Sequence, residues 1–259
     1  MIGLALEGGG SRGAYHIGVM KAFVEAGYEF DGFVGTSIGA INAAMFVQGD
    51  FKKAEEIWLG LSTGQLFDTD IMSLIELHES KWDIRALGSA RDGLRNVRNN
   101  KGVDTSKIKA FVNKHLNEER IRTSGKDFGL AVTSVSDRQP FELFSERIPQ
   151  GEMLSYIVAS ACLPGFKPEI IGGKAYIDGA LHNNCPINML IAKGYDKIIA
   201  VRTNAPGVFP RYTTPANVDV KIIASENNLG NMMIFSPDKI RGNISLGYCD
   251  GLQALRELQ

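Results

Sequence analysis

The residues best able to do chemistry stand in a short segment near the start of the chain, Gly35-Thr36-Ser37-Ile38-Gly39. The segment follows the apolar pair Phe33-Val34 and opens a stretch with helical spacing, so Ser37 lies between a predicted strand and a predicted helix. A serine with glycine two residues away on both sides is typical of a nucleophile elbow. The turn is so tight there that side chains at the two glycine positions would collide. We therefore predict that Ser37 is a nucleophile in a strained conformation, held above the edge of a sheet.

A glycine-rich loop, residues 8–13 with the sequence GGGSRG, precedes this elbow by one predicted helix. When a serine attacks an ester, the carbonyl oxygen becomes an oxyanion, and backbone N–H groups aimed at that oxygen stabilise it. Three consecutive glycines let the backbone approach the reacting atom closely, and the N-terminus of the following helix favours negative charge. The loop could therefore supply what the predicted nucleophile needs.

The same loop also fits the dinucleotide-binding pattern G-x-G-x-x-G, through Gly8, Gly10 and Gly13. A site of that kind requires an acidic residue about 20 positions later, at the end of the second strand, to bind a ribose. Here the second strand ends in Thr36-Ser37, and Asp31 lies before the strand. This mismatch disfavours a dinucleotide site.

A third motif, Asp178-Gly179-Ala180, follows the short apolar run from Ala175 to Ile177. The run predicts a strand with Asp178 at its C-terminal end, after which Gly179 lets the chain turn away. In open α/β sheets the active crevice lies at the carboxyl ends of the strands, a location that suits Ser37, the glycine loop and Asp178 alike. Taken alone, Asp178 would be interpreted as an ordinary turn residue.

Together and in this order, the three motifs resemble those of the patatin-like phospholipase family, and the resemblance covers most of the chain. It implies that Ser37 is the nucleophile and that Asp178 is its sole side-chain partner, so that the two form a dyad. It also implies an oxyanion hole lined by Gly8, Gly9 and Gly10. Arg12 would lie beside the hole, where it either binds an anionic head group of the substrate or holds the loop. The other motif residues are Gly13, Gly35, Gly39, Gly179 and Ala180.

The group that accepts the Ser37 proton is open between Asp178 and two histidines. Asp178 can accept it directly if burial raises its proton affinity and the oxyanion is strongly stabilised. His182, four residues later, could accept it with Asp178 orienting the ring, although so short a loop tends to spread the two side chains. His16, on the first predicted helix, is the other candidate, and helical packing is its alternative role.

Length and composition favour a single catalytic domain over residues 1–259, with a substantial core from 44% apolar residues. A net charge of −1 argues against a nucleic-acid partner. The three cysteines and four histidines show no metal-ligand spacing, so neither a metal nor another cofactor is expected. No apolar run approaches the roughly 18 residues that span a bilayer, and the N-terminus leaves no room for a signal peptide. We therefore predict a cytoplasmic location.

Alternating strand and helix patterns predict an α/β fold, a three-layer α/β/α sandwich around a mostly parallel sheet. The predicted strands are 2–6, 33–34, 128–135, 139–144, 175–177, 198–202 and 218–224. The predicted helices are one that ends at Gly27, the elbow helix, one capped by Asp104 or Thr105, 152–161, 186–192 and a C-terminal helix opened by Ser236-Pro237.

Residues 61–102 fit this alternation least well. They contain an apolar group followed by a basic group: Ile71, Leu74, Ile75 and Trp82, then Arg85, Arg91, Arg95, Arg98 and Lys101. An apolar stripe followed by arginines is typical of a lid that touches anionic lipid surfaces, and a surface helix with solvated charges is the alternative. In both cases the segment is a candidate for lining an acyl-chain pocket.

The leading functional hypothesis is a serine acyl hydrolase that cleaves carboxylic ester bonds of lipids, as a phospholipase A, a lysophospholipase or a related esterase. Its partners would be a lipid or other acyl ester and, peripherally, a membrane surface. A lipid- or nucleotide-binding protein of the same fold, without turnover, is the alternative. A Ser-His-Asp α/β-hydrolase is disfavoured because that fold places several strands before its elbow, whereas Ser37 follows the second strand.

Overall fold

The computed structural model describes residues 1–68 and 102–258, and the fold is given for these ranges. The strands are β1 (Ile2–Leu6), β2 (Gly32–Gly35), β3 (Asp127–Ser134), β4 (Gln139–Phe144), β5 (Glu169–Ile171), β6 (Lys174–Asp178), β7 (Lys197–Arg202) and β8 (Asp219–Ala224). The helices are α1 (Ala14–Glu25), α2 (Ile38–Val47), α3 (Phe51–Leu59), α4 (Thr63–Leu66), α5 (Ser106–His115), α6 (Glu118–Arg122), α7 (Met153–Ser160), α8 (Ile187–Lys193) and α9 (Pro237–Glu257).

These strands form one sheet in the order β5-β6-β3-β2-β1-β7-β8, with β4 paired to β3. The central neighbours from β3 through β2, β1 and β7 to β8 are all parallel. The antiparallel pairs are confined to one side, where β4 and β6 pair with β3 and β5 pairs with β6. The predicted α/β class with a mostly parallel central sheet is confirmed.

Helices cover both faces of this sheet because successive strand residues point to opposite sides. In β1, Leu4 and Leu6 enter the larger apolar core, whereas Ala5 enters the smaller one. The larger core contains residues of α1, α2, α7 and α9, and the smaller core contains residues of α8. The two helical layers are therefore unequal, and the elbow helix α2 belongs to the thicker one.

Most predicted elements are confirmed close to their expected bounds. The sequence analysis missed α3, α4, α6 and β5. Of these, α4, α6 and β5 are too short for a hydrophobic period to show. The apolar and basic residues of the predicted lid, from Ile71 to Lys101, lie outside the described residues.

Helix α1, which carries the glycine loop at its N-terminal end, packs unusually closely against α9. A Cβ on Gly247 of α9 would overlap the carbonyl oxygen of Tyr15, and a Cβ on Gly18 of α1 would overlap that of Ile244. The absence of side chains at both glycines lets the two backbones approach each other. The contact fixes the helix on which the glycine loop depends.

We expect Gly247→Ala to lower the free energy of unfolding by roughly 1–3 kcal/mol, the usual cost of overpacking. Gly242 lies on the same helix with open space around its Cα, so Gly242→Ala should raise stability by roughly 0.5–1 kcal/mol. Urea unfolding of the two variants measures both effects. Equal shifts in the same direction would contradict the close-packing explanation.

Candidate active site

Ser37 occupies a strained turn between β2 and α2. Its backbone angles are φ 58° and ψ −128°, a region that residues with side chains rarely adopt. A Cβ on Gly35 would overlap the backbone of Gly39, and a Cβ on Gly39 would overlap the carbonyl of Leu6. Both flanking positions therefore exclude any side chain, and the turn brings the start of α2 against the end of β1.

Antiparallel pairing of β6 with β3 places Asp178 near this turn. One edge of β3 is occupied by β4, so β2 and β6 must share the other edge. The last residue of β2, Gly35, pairs with Leu130, and the last residue of β6, Asp178, pairs with Val132. The two strands run towards each other and their carboxyl ends meet. Asp178 lies at the C-terminal end of its strand, as expected, but β6 is antiparallel to both strands that pair with it, β3 and β5.

The Asp178 carboxyl is fully buried and has few partners. Its Oδ1 accepts a hydrogen bond of 2.8 Å from the N–H of Ala180, whereas Oδ2 has no hydrogen-bond partner among the described residues. Loss of solvation raises the pKa of Asp178 from 3.8 to about 7. The Ala180 N–H and the Ser37 hydroxyl lower this pKa by smaller amounts. The Ser37 hydroxyl therefore lies near the carboxyl, and Oδ2 has lone pairs open to its proton.

The glycine loop runs beside Ser37, and its N–H groups differ in what they bind. A Cβ on Gly8 would overlap the side-chain oxygen of Asn184 and lie 3.1 Å from the Cβ of Ser37, so the absence of a side chain lets the loop pass close to the serine. The N–H of Gly8 donates to the carbonyl of Asn184 at 3.0 Å. The N–H groups of Gly9, Gly10 and Ile38 donate to none of the residues that the structure describes. These three groups, rather than that of Gly8, are available to an oxyanion.

The loop is anchored by a buried carboxylate that the sequence analysis missed. Glu7 is almost fully buried, forms an ion pair of 2.9 Å with Arg202, and accepts hydrogen bonds from the N–H groups of Thr203 and Asn204. The hydroxyl of Thr203 in turn donates to the carbonyl of Gly8. Two signals in the sequence could have indicated this anchor. Glu7 directly follows one apolar strand, and Thr203-Asn204 directly follow another.

Arg12 binds main-chain carbonyls. Its Nε donates to the carbonyl of Gly230 at 2.8 Å, and its Nη1 donates to those of Asn204 at 2.8 Å and Thr203 at 3.3 Å. These contacts tie the glycine loop to two segments that come much later in the chain. Of the two roles open to Arg12 from the sequence, they favour holding the loop.

Neither candidate histidine is placed to accept the Ser37 proton. His182 is exposed, and within residues 1–68 and 102–258 its ring hydrogen-bonds to neither Ser37 nor Asp178. His16 is fully buried, and its Nδ1 lies 3.2 Å from Nδ2 of Asn42. Burial lowers the pKa of His16 to about 3, which fits a packing role on α1.

An apolar pocket opens at Ser37, with about 610 Å³ of empty space between its lining atoms when the open solvent at the mouth is counted. Ile38, Ile41 and Met45 of α2 form one wall, so the pocket follows this helix away from the elbow. The side chain of Asn42 also lines it, but its Oδ1 accepts from Trp58 Nε1 and its Nδ2 donates to the Gly13 carbonyl. The other walls come from α3, α4, α5 and the segments after α7 and before α9: Trp58, Leu61, Leu66, Phe67, Ile108, Phe111, Ala161, Leu163, Phe166, Met232, Met233 and Phe235.

Within residues 1–68 and 102–258, no three His, Cys, Asp or Glu side chains are grouped in a way that could hold a metal ion. None of the helices described there has the length and apolar character that crossing a bilayer requires.

Proteins similar to this chain are known both by sequence and by fold. An uncharacterized NTE family protein of Mycobacterium tuberculosis is 26% identical over 88% of this chain and 36% of its own length. A lysophospholipase of Coccidioides immitis is 27% identical over 79% of this chain and 12% of its own length. The chain thus spans about a third or less of these two relatives. In fold, it resembles VipD from Legionella pneumophila, with a TM-score of 0.57, 14% identity, and coverage of 98% of this chain and 66% of that one.

A family model described as patatin-like phospholipase matches residues 4–191. The match contains the glycine loop, the strained elbow at Ser37 and the buried Asp178, and it covers well over half of the chain. The mixed sheet flanked by helices agrees with it. This chain therefore belongs to the patatin-like phospholipase family.

Proposed function

We propose that this protein is a serine acyl hydrolase that cleaves carboxylic ester bonds of lipids through a dyad of Ser37 and Asp178. Family membership supports lipid hydrolysis as the general activity. One observation carries the finer proposal: a strained serine that lines an apolar pocket interacts with a buried carboxyl, and one oxygen of that carboxyl has no hydrogen-bond partner among the described residues. Each part of this arrangement has a task in ester cleavage.

In the first half-reaction, the Ser37 oxygen attacks the ester carbonyl carbon, and its proton passes to Oδ2 of Asp178. The carbonyl oxygen becomes an oxyanion that accepts hydrogen bonds from the N–H groups of Gly9, Gly10 and Ile38. When the intermediate collapses, the bond to the alcohol oxygen breaks, and Asp178 returns the proton to that oxygen. An acyl-enzyme on Ser37 remains.

In the second half-reaction, a water molecule takes the place of the alcohol. Asp178 accepts a proton from the water as it attacks the acyl carbon, and then gives the proton to the departing Ser37 oxygen. A carboxyl with a pKa near 7 suits this exchange, because it can both bind and release a proton at neutral pH. The fatty acid leaves and the free enzyme is restored.

The apolar pocket would hold the acyl chain of the substrate. Met45 lies eight residues after Ser37 on a helix that rises about 1.5 Å per residue, so the α2 wall extends roughly 12 Å from the nucleophile. Every buried methylene of the acyl chain would contribute about 0.8 kcal/mol. Long acyl esters should therefore be preferred over short ones.

Several features remain proposals. Arg12 would mainly hold the glycine loop, because its donors already bind three carbonyls. Residues 1–259 would form one catalytic domain, acting in the cytoplasm with peripheral contact to a membrane surface. Residues 61–102 would include the lid. This proposal is supported by three residues of the segment, Leu61, Leu66 and Phe67, which line the pocket.

The general test uses a fluorophosphonate probe, p-nitrophenyl esters and a mixed lipid extract. Wild type should be labelled at Ser37, cleave the esters and release fatty acid from the lipids, and Ser37→Ala should do none of these. No labelling and no ester cleavage by folded wild type would instead favour a binding protein without turnover.

We expect Ser37→Ala and Asp178→Asn each to lower kcat by about 10³–10⁴ or more, because members of one catalytic unit cannot replace each other. His182→Ala and His16→Ala should cost less than about tenfold, the range of small shifts in packing. Circular dichroism confirms folding of all four variants. A loss in His182→Ala as deep as that in Asp178→Asn would replace the dyad by a triad.

The pH dependence follows from Asp178. Only the carboxylate can accept the Ser37 proton, so kcat/KM should rise with pH through a midpoint near 7. The folded pKa lies above the unfolded value of 3.8, so the ionised group destabilises the fold increasingly between pH 4 and 7. Asp178→Asn should therefore melt at a higher temperature than wild type at pH 8, but not at pH 4. The same difference at both pH values would contradict a buried carboxylate.

The pocket predicts chain-length selectivity. Met45→Phe should shorten the pocket and lower kcat/KM for p-nitrophenyl palmitate by about tenfold or more, the value of two buried methylenes. Activity on the butyrate ester should change little. Met189→Phe is the matched control, because Met189 is equally buried but lies in the smaller core on the other face of the sheet. An equal loss of kcat/KM on both esters would contradict the proposal that this pocket binds the acyl chain.

A further inference from the structure

Ser160, the last residue of α7, connects the nucleophile to the strand that carries its partner. Its side chain is fully buried. Its hydroxyl donates to the carbonyl of Ala131 on β3 at 2.8 Å and accepts a hydrogen bond of 2.9 Å from the N–H of Ser37. Because a hydroxyl has one proton, donating it to Ala131 leaves the oxygen lone pairs for Ser37.

The Ser37 N–H needs this partner because the strained turn removes it from both neighbouring elements. It takes no part in the pairing of β2 with β1 or β3, and α2 begins only at Ile38. A buried N–H without an acceptor costs free energy, so losing the Ser160 hydroxyl would favour rotation of the Ser37 peptide. Such a rotation would move the Ser37 side chain and the N–H of Ile38 together.

Ala131 also determines where Asp178 lies. The next residue on β3, Val132, pairs with Asp178, and a Cβ on Gly179 would overlap the Ala131 carbonyl. The hydroxyl of Ser160 therefore connects the Ser37 backbone to the carbonyl of Ala131. The turn after Asp178 packs against this same carbonyl.

We propose that Ser160 is a positioning residue that sets the distance and direction between the Ser37 hydroxyl and the Asp178 carboxyl. This inference rests on the proposed dyad. Ser160 does not contact substrate, since its side chain is fully buried and its hydroxyl bonds to Ser37 and Ala131. Its loss should therefore affect the chemical step rather than substrate binding.

Ser160→Thr and Ser160→Val form a matched pair, because the two new side chains have nearly the same shape and only threonine keeps the hydroxyl. We expect Ser160→Val to lower kcat about 10–100-fold, the scale of a misplaced catalytic group, with KM within about threefold. Ser160→Thr should keep kcat within about threefold of wild type. Where threonine lowers the melting temperature strongly, Ser160→Ala and Ser160→Cys provide the same comparison.

The pH profile separates positioning from simple stabilisation. The Ser37 hydroxyl lowers the pKa of Asp178, so displacement of Ser37 in Ser160→Val should move the midpoint of kcat/KM to higher pH. Ser134→Ala is the control: Ser134 is equally buried on β3, but its hydroxyl bonds to Asp137. It should reduce stability without changing kcat or the midpoint.

Equal kcat values for Ser160→Val and Ser160→Thr, whether high or low, would overturn the inference, because the hydroxyl would then make no difference. An unchanged pH midpoint in Ser160→Val would overturn it too. The dyad itself is tested separately, because full activity in Ser37→Ala would reject the proposed function irrespective of Ser160.

Discussion

The site depends on the exclusion of solvent from one carboxyl, that of Asp178. Asp178 has no cation beside it among the described residues, and its one strong hydrogen bond comes from the nearby N–H of Ala180. In such a place the charged form is disfavoured, which raises the pKa of the carboxyl to about 7, a value that suits the base we propose for Ser37. The fold tolerates this cost because the sheet and its two helical layers surround the position from all sides.

Holding a backbone rigid next to that carboxyl is the second requirement. The glycine loop has no side chains of its own to pack at its first three residues, so other segments must hold it. Glu7 bonds to Thr203, and Thr203 bonds to the Gly8 carbonyl. At the other end of the loop, Arg12 and the N–H of Ser11 bond to main-chain carbonyls of residues 230–232. The charged side chains around the loop thus bond to backbone groups, and the N–H groups of Gly9 and Gly10 donate to none of the described residues. Rigid N–H donors of this kind stabilise charge without reorganising.

Local sequence predicted the parts of the site whose geometry is local. The elbow is visible because steric exclusion acts between residues two positions apart, at Gly35 and Gly39, and the loop is visible because three glycines are adjacent. The positions of most strands and helices follow similarly from hydrophobic periodicity and from the residues that begin and end these elements. The choice of base between Asp178, His182 and His16 did not follow, because it depends on burial and direction rather than on spacing.

The amino-acid sequence by itself determined the elbow, the glycine loop, the α/β class and the family resemblance, since each rests on short-range pattern. Only the tertiary structure decided that β6 runs against β2, so that Asp178 meets Ser37 end to end. It also decided that the Gly8 N–H is already bonded, that Arg12 binds carbonyls, and that Ser160 joins the nucleophile to β3. These contacts join residues that are far apart in the chain, by 29 positions for Ser160 and Ala131 and by 218 for Arg12 and Gly230. No local signal encodes such pairs, because the packing of the whole sheet determines which residues meet.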